Sequence, residues 1–219
     1  MLLTAGATHV LVDATRDASE QLGTVPRPTA VALTHGHRDA SGGVPKLAEH
    51  VADRSPTPVF GHPRTHRAIR GRSEQLDHVD LVDVEAGRTV AIGEVDATAT
   101  EVPHARGQRF PTFAWRFTAH GVTVVYASDV AELTDDLQAT SSDADVLVLD
   151  GAMYGRSLFS HLRIEEAVPV VCRWSVSEVL LTQIGRTAPP HEELHRIVRG
   201  LCSRARPAYD GLRVALRDE

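Results

Sequence analysis

The sequence is poor in lysine, cysteine, aromatic residues and long apolar runs. Of its 219 residues, 5% are aromatic, two are cysteines, and Lys46 is the single lysine. No apolar stretch is long enough to span a bilayer. The first residues contain no basic segment and reach Asp13 too early for a signal peptide. These absences predict a soluble protein without membrane attachment, and we expect the cytoplasm as its compartment.

The charge of the chain bears on its expected binding partners, and its cysteines bear on the expected redox state of the thiols. The formal net charge is −6, so no overall field attracts nucleic acid, and the sequence carries no strong nucleic-acid signal. The positive charge is almost entirely arginine, which suits binding of phosphate or carboxylate, although GC-rich coding produces the same bias. Cys172 and Cys202 lie in helix-like segments and form no CxxC pair. We therefore predict two reduced, partly buried thiols.

Short apolar runs of strand length alternate with segments of helical periodicity along the chain. This interleaving predicts an α/β protein, and the lack of a linker or repeat predicts one domain over residues 1–219. Residues 80–104 alternate apolar and polar side chains, which predicts consecutive antiparallel strands. Other predicted strands cover 8–14, 29–34, 57–62, 112–129 (a hairpin turning at His120-Gly121), 145–150, 179–183 and 211–216; predicted helices cover 44–53, 63–71, 161–174 and 189–204.

The stretch LTHGHRDASGG, residues 33–43, brings two histidines and an aspartate into five consecutive positions. Imidazole and carboxylate are zinc ligands, and a carboxylate can also act as a base. Side chains at i and i+2 of a straight strand face opposite sides, so His35 and His37 converge only if Gly36 allows the chain to bend. A lone histidine pair is a weak signal. This pair follows the end of a predicted strand, where α/β sheets place their ligands, and Asp39 is adjacent.

Four further polar residues end predicted strands. Each alone can be a turn or capping residue. Together they predict that one edge of a sheet is lined with metal-binding groups. These residues are Asp13, His104, Asp129 and Asp150.

Taken in their order along the chain, the residues of the histidine loop and of the strand ends resemble the motifs of the metallo-β-lactamase fold superfamily. The signature of this superfamily is T-H-x-H-x-D-H after a strand. THGHRD at 34–39 matches the signature, and the similarity runs nearly end to end. The resemblance implies a four-layer αββα sandwich in which Asp13 supports the metal loop. His104 matches the third histidine ligand and Asp129 the metal-bridging aspartate. It therefore implies a metal held by these two residues together with the site residues His35, His37 and Asp39.

The segment HLRIEEA, residues 161–167, resembles the H-x-x-x-x-E-A segment of the phosphodiesterase branch, which includes cyclic phosphodiesterases and tRNase Z. In that branch the histidine lies beside the metals and assists proton transfer. The resemblance therefore implies that His161 protonates a leaving group, while Asp39 orients or deprotonates the attacking water.

Two departures from the superfamily pattern affect the same, second metal position. Ala40 stands where dinuclear members have a histidine, and Gln183 stands where another histidine ends a late strand. A methyl group cannot coordinate a metal, and an amide oxygen is a weak zinc ligand. We therefore expect one zinc ion rather than two, with manganese and iron as alternatives.

A second zinc motif, H-E-x-x-H, occurs at residues 191–195. Histidines at i and i+4 share a helix face, as in metallopeptidases. However, the expected buried apolar stripe of this helix consists of Leu194, Ile197, Val198 and Leu201, which leaves His191 and His195 on its flank. We therefore prefer a solvated helix face to a zinc site.

The function expected from this sequence is metal-dependent hydrolysis of a small anionic substrate, most simply a nucleotide-like phosphodiester. The alternatives are hydrolysis of another ester or a lactone, or a degenerate member that binds a ligand or partner without hydrolysis. If the chain starts at Met1, the segment 2–13 presents a sheet edge that a second copy could cover, so we also expect a homodimer.

Overall fold

The structure, a computed structural model, describes residues 1–49, 56–73, 75–105 and 110–216. No helix in these ranges has the length and apolar character needed to cross a membrane. The strands are β1 (Leu2–Ala5), β2 (Thr8–Val12), β3 (Ala30–Ala32), β4 (Thr57–Gly61), β5 (Val79–Asp83), β6 (Thr89–Ile92), β7 (Val95–Val102), β8 (Thr112–Ala119), β9 (Val122–Ala127), β10 (Ala144–Asp150), β11 (Val176–Thr182) and β12 (Ala205–Pro207). The α-helices are α1 (Ala18–Leu22), α2 (Arg38–Ser41), α3 (Pro63–Arg70), α4 (Asp135–Thr140), α5 (Ile164–Val171) and α6 (His191–Leu201).

The chain divides into two compact units. The first comprises Met1–Ala99 and Arg109–Phe113, and the second comprises Thr100–Gln108 and Ala114–Glu219. Each unit has its own cluster of buried apolar side chains. The expectation of one domain over residues 1–219 stays a prediction.

The first unit contains a five-stranded sheet in the order β1-β2-β3-β4-β5. Strands β1 and β2 form an antiparallel hairpin, whereas β2 to β5 are parallel neighbours. Strands that are buried on both faces of a parallel sheet are apolar throughout. Strand β3 follows this rule, because its three residues are all apolar and buried. Leu33, Leu47, Val59 and Ile69 are fully buried or nearly so in the core of this unit.

The expectation of antiparallel strands throughout residues 80–104 is wrong for β5. This strand pairs in parallel with β4, because α3 carries the chain back to the same end of the sheet. The expectation holds for β6 and β7, which pair antiparallel from Thr89↔Thr98 to Ile92↔Val95.

In the second unit, the strands lie in the order β12-β11-β10-β9-β8. The predicted hairpin is confirmed: β8 and β9 are antiparallel and meet at His120 (φ 50°) and Gly121 (φ 77°). Two consecutive left-handed residues fit the twist of a two-residue hairpin turn. Strands β9 to β12 are parallel, so the ends of β9, β10 and β11 lie at one edge of the sheet.

Other local predictions need correction. Residues 211–216 form no strand; β12 is the last strand of the described residues, among which no strand pairs with Val214 and Leu216, and both side chains are exposed. The predicted helix 44–53 is a 3-10 helix over Val44–Glu49, and its remainder lies outside the described residues. Helix α5 is shorter than the predicted 161–174 and contains Pro169.

The prediction of two reduced thiols is also wrong. Cys172 follows α5 and Cys202 follows α6, and the two form a disulfide with their Cα atoms 5.6 Å apart. The packing of α5 against α6 brings the ends of these helices together. A separation of 30 residues in the sequence gives no sign of this contact.

Candidate metal centre

The start of the histidine loop is held by Asp13, which directly follows β2. Asp13 has a φ of 60°, uncommon for a residue other than glycine, and its side chain is buried. Its carboxylate accepts hydrogen bonds from the backbone N–H of Thr34 (2.8 Å) and from the Thr34 hydroxyl (2.9 and 3.0 Å). The expected support of the metal loop by Asp13 is therefore visible as direct contacts.

The same hydroxyl determines which nitrogen of His35 carries the proton. The Thr34 hydroxyl donates to Asp13, so its oxygen accepts from His35 Nδ1 at 2.9 Å. A neutral imidazole with a proton on Nδ1 has a lone pair on Nε2. His35 is fully buried, and its Nε2 lies 4.0 Å from Oδ1 of Asp39.

The rings of His35 and His37 lie edge to face, with centroids 4.7 Å apart. A Cβ at Gly36 would lie 2.7 Å from Cδ1 of Phe110, and the Phe110 ring is 4.9 Å from that of His37. Gly36 is therefore needed for the close approach of an aromatic ring, in addition to any bend in the chain. His37 is the residue before α2, whose second residue is the exposed Asp39 and whose third is the buried Ala40.

In the second unit, His104 is held in the same way as His35. Its Nδ1 donates to the backbone carbonyl of Ser160 at 2.8 Å, since a carbonyl can only accept. Nε2 again has the lone pair, and it lies 4.0 Å from Oδ1 of Asp129. His104 is 8% exposed and Asp129 is 2% exposed, so both groups are largely shielded from solvent.

His161 forms a close pair with Asp150, the last residue of β10. Its Nδ1 donates to Oδ2 of Asp150 at 2.7 Å. Asp150 is fully buried, which raises the pKa of its carboxyl, while hydrogen bonds from His161, Ala152 and Val130 oppose that rise. The rings of His161 and His104 have centroids 5.1 Å apart, and one ligand atom from each of His104, Asp129 and His161 lies within 4.8 Å of the others.

Two side chains, those of Ser128 and Gln183, donate hydrogen bonds to Asp129. The Ser128 hydroxyl donates to Oδ2 at 2.6 Å. The amide nitrogen of Gln183 donates to Oδ2 at 3.1 Å and to Oδ1 at 3.3 Å. Gln183 therefore contacts the predicted metal-binding aspartate through its nitrogen, which cannot be a metal ligand.

Residues 8–184 match the family described as the β-lactamase superfamily domain. The match covers well over half of the chain. The chain belongs to this superfamily. The predicted membership, with its αββα metallo-β-lactamase fold, is therefore confirmed. The superfamily consists mostly of metal-dependent hydrolases, and its fold implies a divalent metal ion.

Solved structures of other superfamily members share the fold of this chain. A diphosphatase of the PhnP family is 21% identical, with a TM-score of 0.84 over 96% of this chain and 80% of its own. YhfI, a metallo-β-lactamase fold protein from Bacillus subtilis, is 23% identical, with a TM-score of 0.82 over 96% and 89%. Human tRNase Z, short form, is 16% identical, with a TM-score of 0.74 over 99% and 92%. No curated protein matches the chain.

The H-E-x-x-H segment of this superfamily member begins α6. The rings of His191 and His195 have centroids 6.4 Å apart, and His191 contacts the ring of Tyr209. Among the described residues, no group of three potential ligands includes either histidine. Leu194 and Val198 are buried, as the apolar stripe of the helix predicts, but the prediction is wrong for Leu201, which is 36% exposed at the end of the helix.

Several contacts of the site join residues far apart in the sequence and have no local sequence signal. Among them are the Ser160 carbonyl on His104, the Asp150 carboxylate on His161 and the Gln183 amide on Asp129. The position of Asp150 at a strand end is a signal in the sequence, but its pairing with His161 is not. The predicted residues otherwise fall into two groups: His35, His37 and Asp39 in the first unit, and His104, Asp129 and His161 in the second.

Proposed function

We propose that this protein is a zinc-dependent phosphodiesterase acting on a small or nucleotide-like phosphodiester. The observation that carries the proposal is shared by His35, His104 and His161. Each of these histidines forms a hydrogen bond to the protein through Nδ1, which fixes the orientation of its ring. Such a bond to the other ring nitrogen is the usual means by which proteins orient a histidine at a metal.

The proposed ligands are His35, His37, His104 and Asp129, as the superfamily resemblance implies. Three imidazoles and one carboxylate suit zinc. The buried Asp129 and the tautomers of His35 and His104 fit this role. When bound, such an ion lowers the pKa of a coordinated water towards about 7.

The proposed proton transfers use residues outside that set. Asp39, 66% exposed and 4.0 Å from His35, orients the water or accepts its proton. His161 donates a proton to the leaving oxygen, and the Asp150 carboxylate stabilises the imidazolium form that makes this donation possible.

The phosphodiester substrate is supported by the HLRIEEA segment and by the presence of a diphosphatase and a tRNase Z among the structures with this fold. A competing proposal is a superfamily member that binds a ligand without hydrolysing it. Ala40 and Gln183 favour that alternative, because alanine supplies no ligand for a second ion and glutamine supplies only a weak one.

Zinc content and hydrolysis of bis(p-nitrophenyl) phosphate, measured on the same preparations, test the proposal. The unaltered protein should hold about one zinc ion per chain and hydrolyse the ester. His104→Ala should lose both properties. His161→Ala should keep the ion and lose about 100-fold or more in kcat.

The matched control is the double variant His191→Ala, His195→Ala, which should keep both the ion and the activity. Zinc binding without hydrolysis of any phosphodiester or ester would support the non-catalytic alternative. Two tightly bound ions in the unaltered protein would contradict a single site.

A further inference from the structure

Gln183 stands at the point where the second metal ligand is missing, and its contacts are specific. The side-chain amide donates to both carboxylate oxygens of Asp129, at 3.1 and 3.3 Å. Ser128 donates a further bond of 2.6 Å to Oδ2. Two neighbouring side chains therefore donate hydrogen bonds to this one carboxylate.

The backbone of Gln183 is held in a sparsely populated conformation. Its φ is 58°, in the left-handed region, immediately after the end of β11. Such a conformation costs about 1 kcal/mol or more for a residue other than glycine, and persists where surrounding contacts enforce it. The preceding residue, Thr182, accepts a backbone hydrogen bond of 2.8 Å from Gly151. This geometry directs the Gln183 amide towards Asp129.

Asp129 needs donors of this kind because it is 2% exposed. A buried carboxylate is unfavourable unless hydrogen bonds or cations compensate for its lost hydration. The superfamily resemblance implies that in dinuclear members a second cation would supply part of that compensation. Among the residues that the structure describes, the Gln183 amide and the Ser128 hydroxyl donate hydrogen bonds to this carboxylate.

We propose that Gln183 is a positioning residue that takes over, by hydrogen bonding, the role of a second ion in holding Asp129. The inference rests on the proposed function only in treating Asp129 as a metal ligand. The amide nitrogen carries two N–H donors, so it can donate to both carboxylate oxygens, and the remaining amide oxygen is only a weak zinc ligand. The site is therefore a complete one-metal design and not a damaged two-metal site.

Zinc affinity of the variant Gln183→Met tests this role. Methionine has a similar length and no strong donor, so it removes the two hydrogen bonds with little change in volume. We expect the zinc dissociation constant, measured by competition with a chromophoric chelator, to rise about tenfold, the usual effect of losing a hydrogen bond to a metal ligand. The visible absorption of the cobalt(II)-substituted protein should change, since Asp129 would be held differently.

The matched control is Gln138→Met, at an exposed position of α4 in the same unit. This variant should bind zinc and cobalt(II) like the unaltered protein. Because Gln183→Met loses two hydrogen bonds to a buried carboxylate, its metal-free melting temperature should lie modestly below that of the control while unfolding stays cooperative, and the altered cobalt(II) spectrum then separates positioning from loss of the fold. A Gln183→Met variant with unchanged zinc affinity and cobalt spectrum overturns the inference. An unaltered protein that binds no zinc overturns the proposed function itself, and this inference with it.

Discussion

At the scale of single residues, three histidines of the candidate site each form a hydrogen bond to the protein through Nδ1. The partners differ in kind: a hydroxyl for His35, a backbone carbonyl for His104 and a carboxylate for His161. A carboxylate partner stabilises the imidazolium more strongly than a carbonyl does, because it carries a full negative charge. This difference supports a proton-transfer role for His161 and a ligand role for His104.

Gly36 provides a test at the residue scale whose stability measurement does not depend on the proposed function. Phe110 is 8% exposed, and a Cβ at position 36 would lie 2.7 Å from its ring. Because buried rings have little room to move, Gly36→Ala should lower the free energy of unfolding by about 1–3 kcal/mol. It should also weaken zinc binding through displacement of His35 and His37. Urea denaturation and chelator competition measure these effects.

The control for this prediction is Gly200→Ala in α6. A Cβ at position 200 meets nothing within 4 Å, so alanine should raise the stability by about 0.5–1 kcal/mol through its higher helix propensity. Equal stabilities of Gly36→Ala and the unaltered protein would show that Phe110 does not restrict this position.

At the scale of elements, the disulfide between the ends of α5 and α6 is the main covalent restraint. Cys202 is buried, and the carbonyl of Cys172 accepts a hydrogen bond of 2.6 Å from Arg204. Arg204 also donates to the carbonyl of Val176 in β11. The disulfide therefore lies in a region where hydrogen bonds from Arg204 also connect the end of α5 to β11.

Reduction of this disulfide should destabilise the protein. Its loop of 30 residues implies a contribution of about 3–4 kcal/mol from restriction of the unfolded chain. We expect tris(2-carboxyethyl)phosphine to lower the urea midpoint of the metal-free protein. The variant Cys172→Ser, Cys202→Ser should have the lower midpoint already and should not respond to the reductant. A midpoint unaffected by reduction in the unaltered protein would contradict the restraint.

At the scale of the whole molecule, the open edge of the five-stranded sheet governs the expected self-association. Strand β1 forms this edge in the order β1-β2-β3-β4-β5. Met1 and Val12 exchange both backbone hydrogen bonds, so in the alternating antiparallel pattern the N–H of Thr4 points to the open side. The exposed edge is therefore confined to β1 and does not include all of residues 2–13.

Light scattering over a range of concentrations tests whether a second copy pairs with β1. The average mass of the unaltered protein should rise with concentration. Thr4→Pro should stay monomeric, because proline cannot donate at the open edge, and it removes no hydrogen bond to β2. A strictly monomeric unaltered protein at high concentration would contradict the expected homodimer.

Much of the local structure was predictable because its signals lie within a few neighbouring residues. The hairpin at His120-Gly121 and the helix 63–71 follow from turn and helix-end residues in the sequence. The last six described residues, 211–216, show the limit of such patterns. Alternating apolar residues form a strand only where a neighbouring strand accepts their hydrogen bonds, and no such neighbour is present in the described part of the chain.

The amino-acid sequence alone determined the type and order of the candidate ligands, because they follow strand ends within short, recognisable motifs. Tertiary structure decided how those ligands are held. His104 meets Ser160 across 56 residues, Asp129 meets Gln183 across 54, and the disulfide spans 30. Contacts over such distances arise only when strands and helices pack, so no local pattern encodes them. For that reason the sequence showed Gln183 only as a missing ligand, while the folded chain shows it as a hydrogen-bond donor to Asp129.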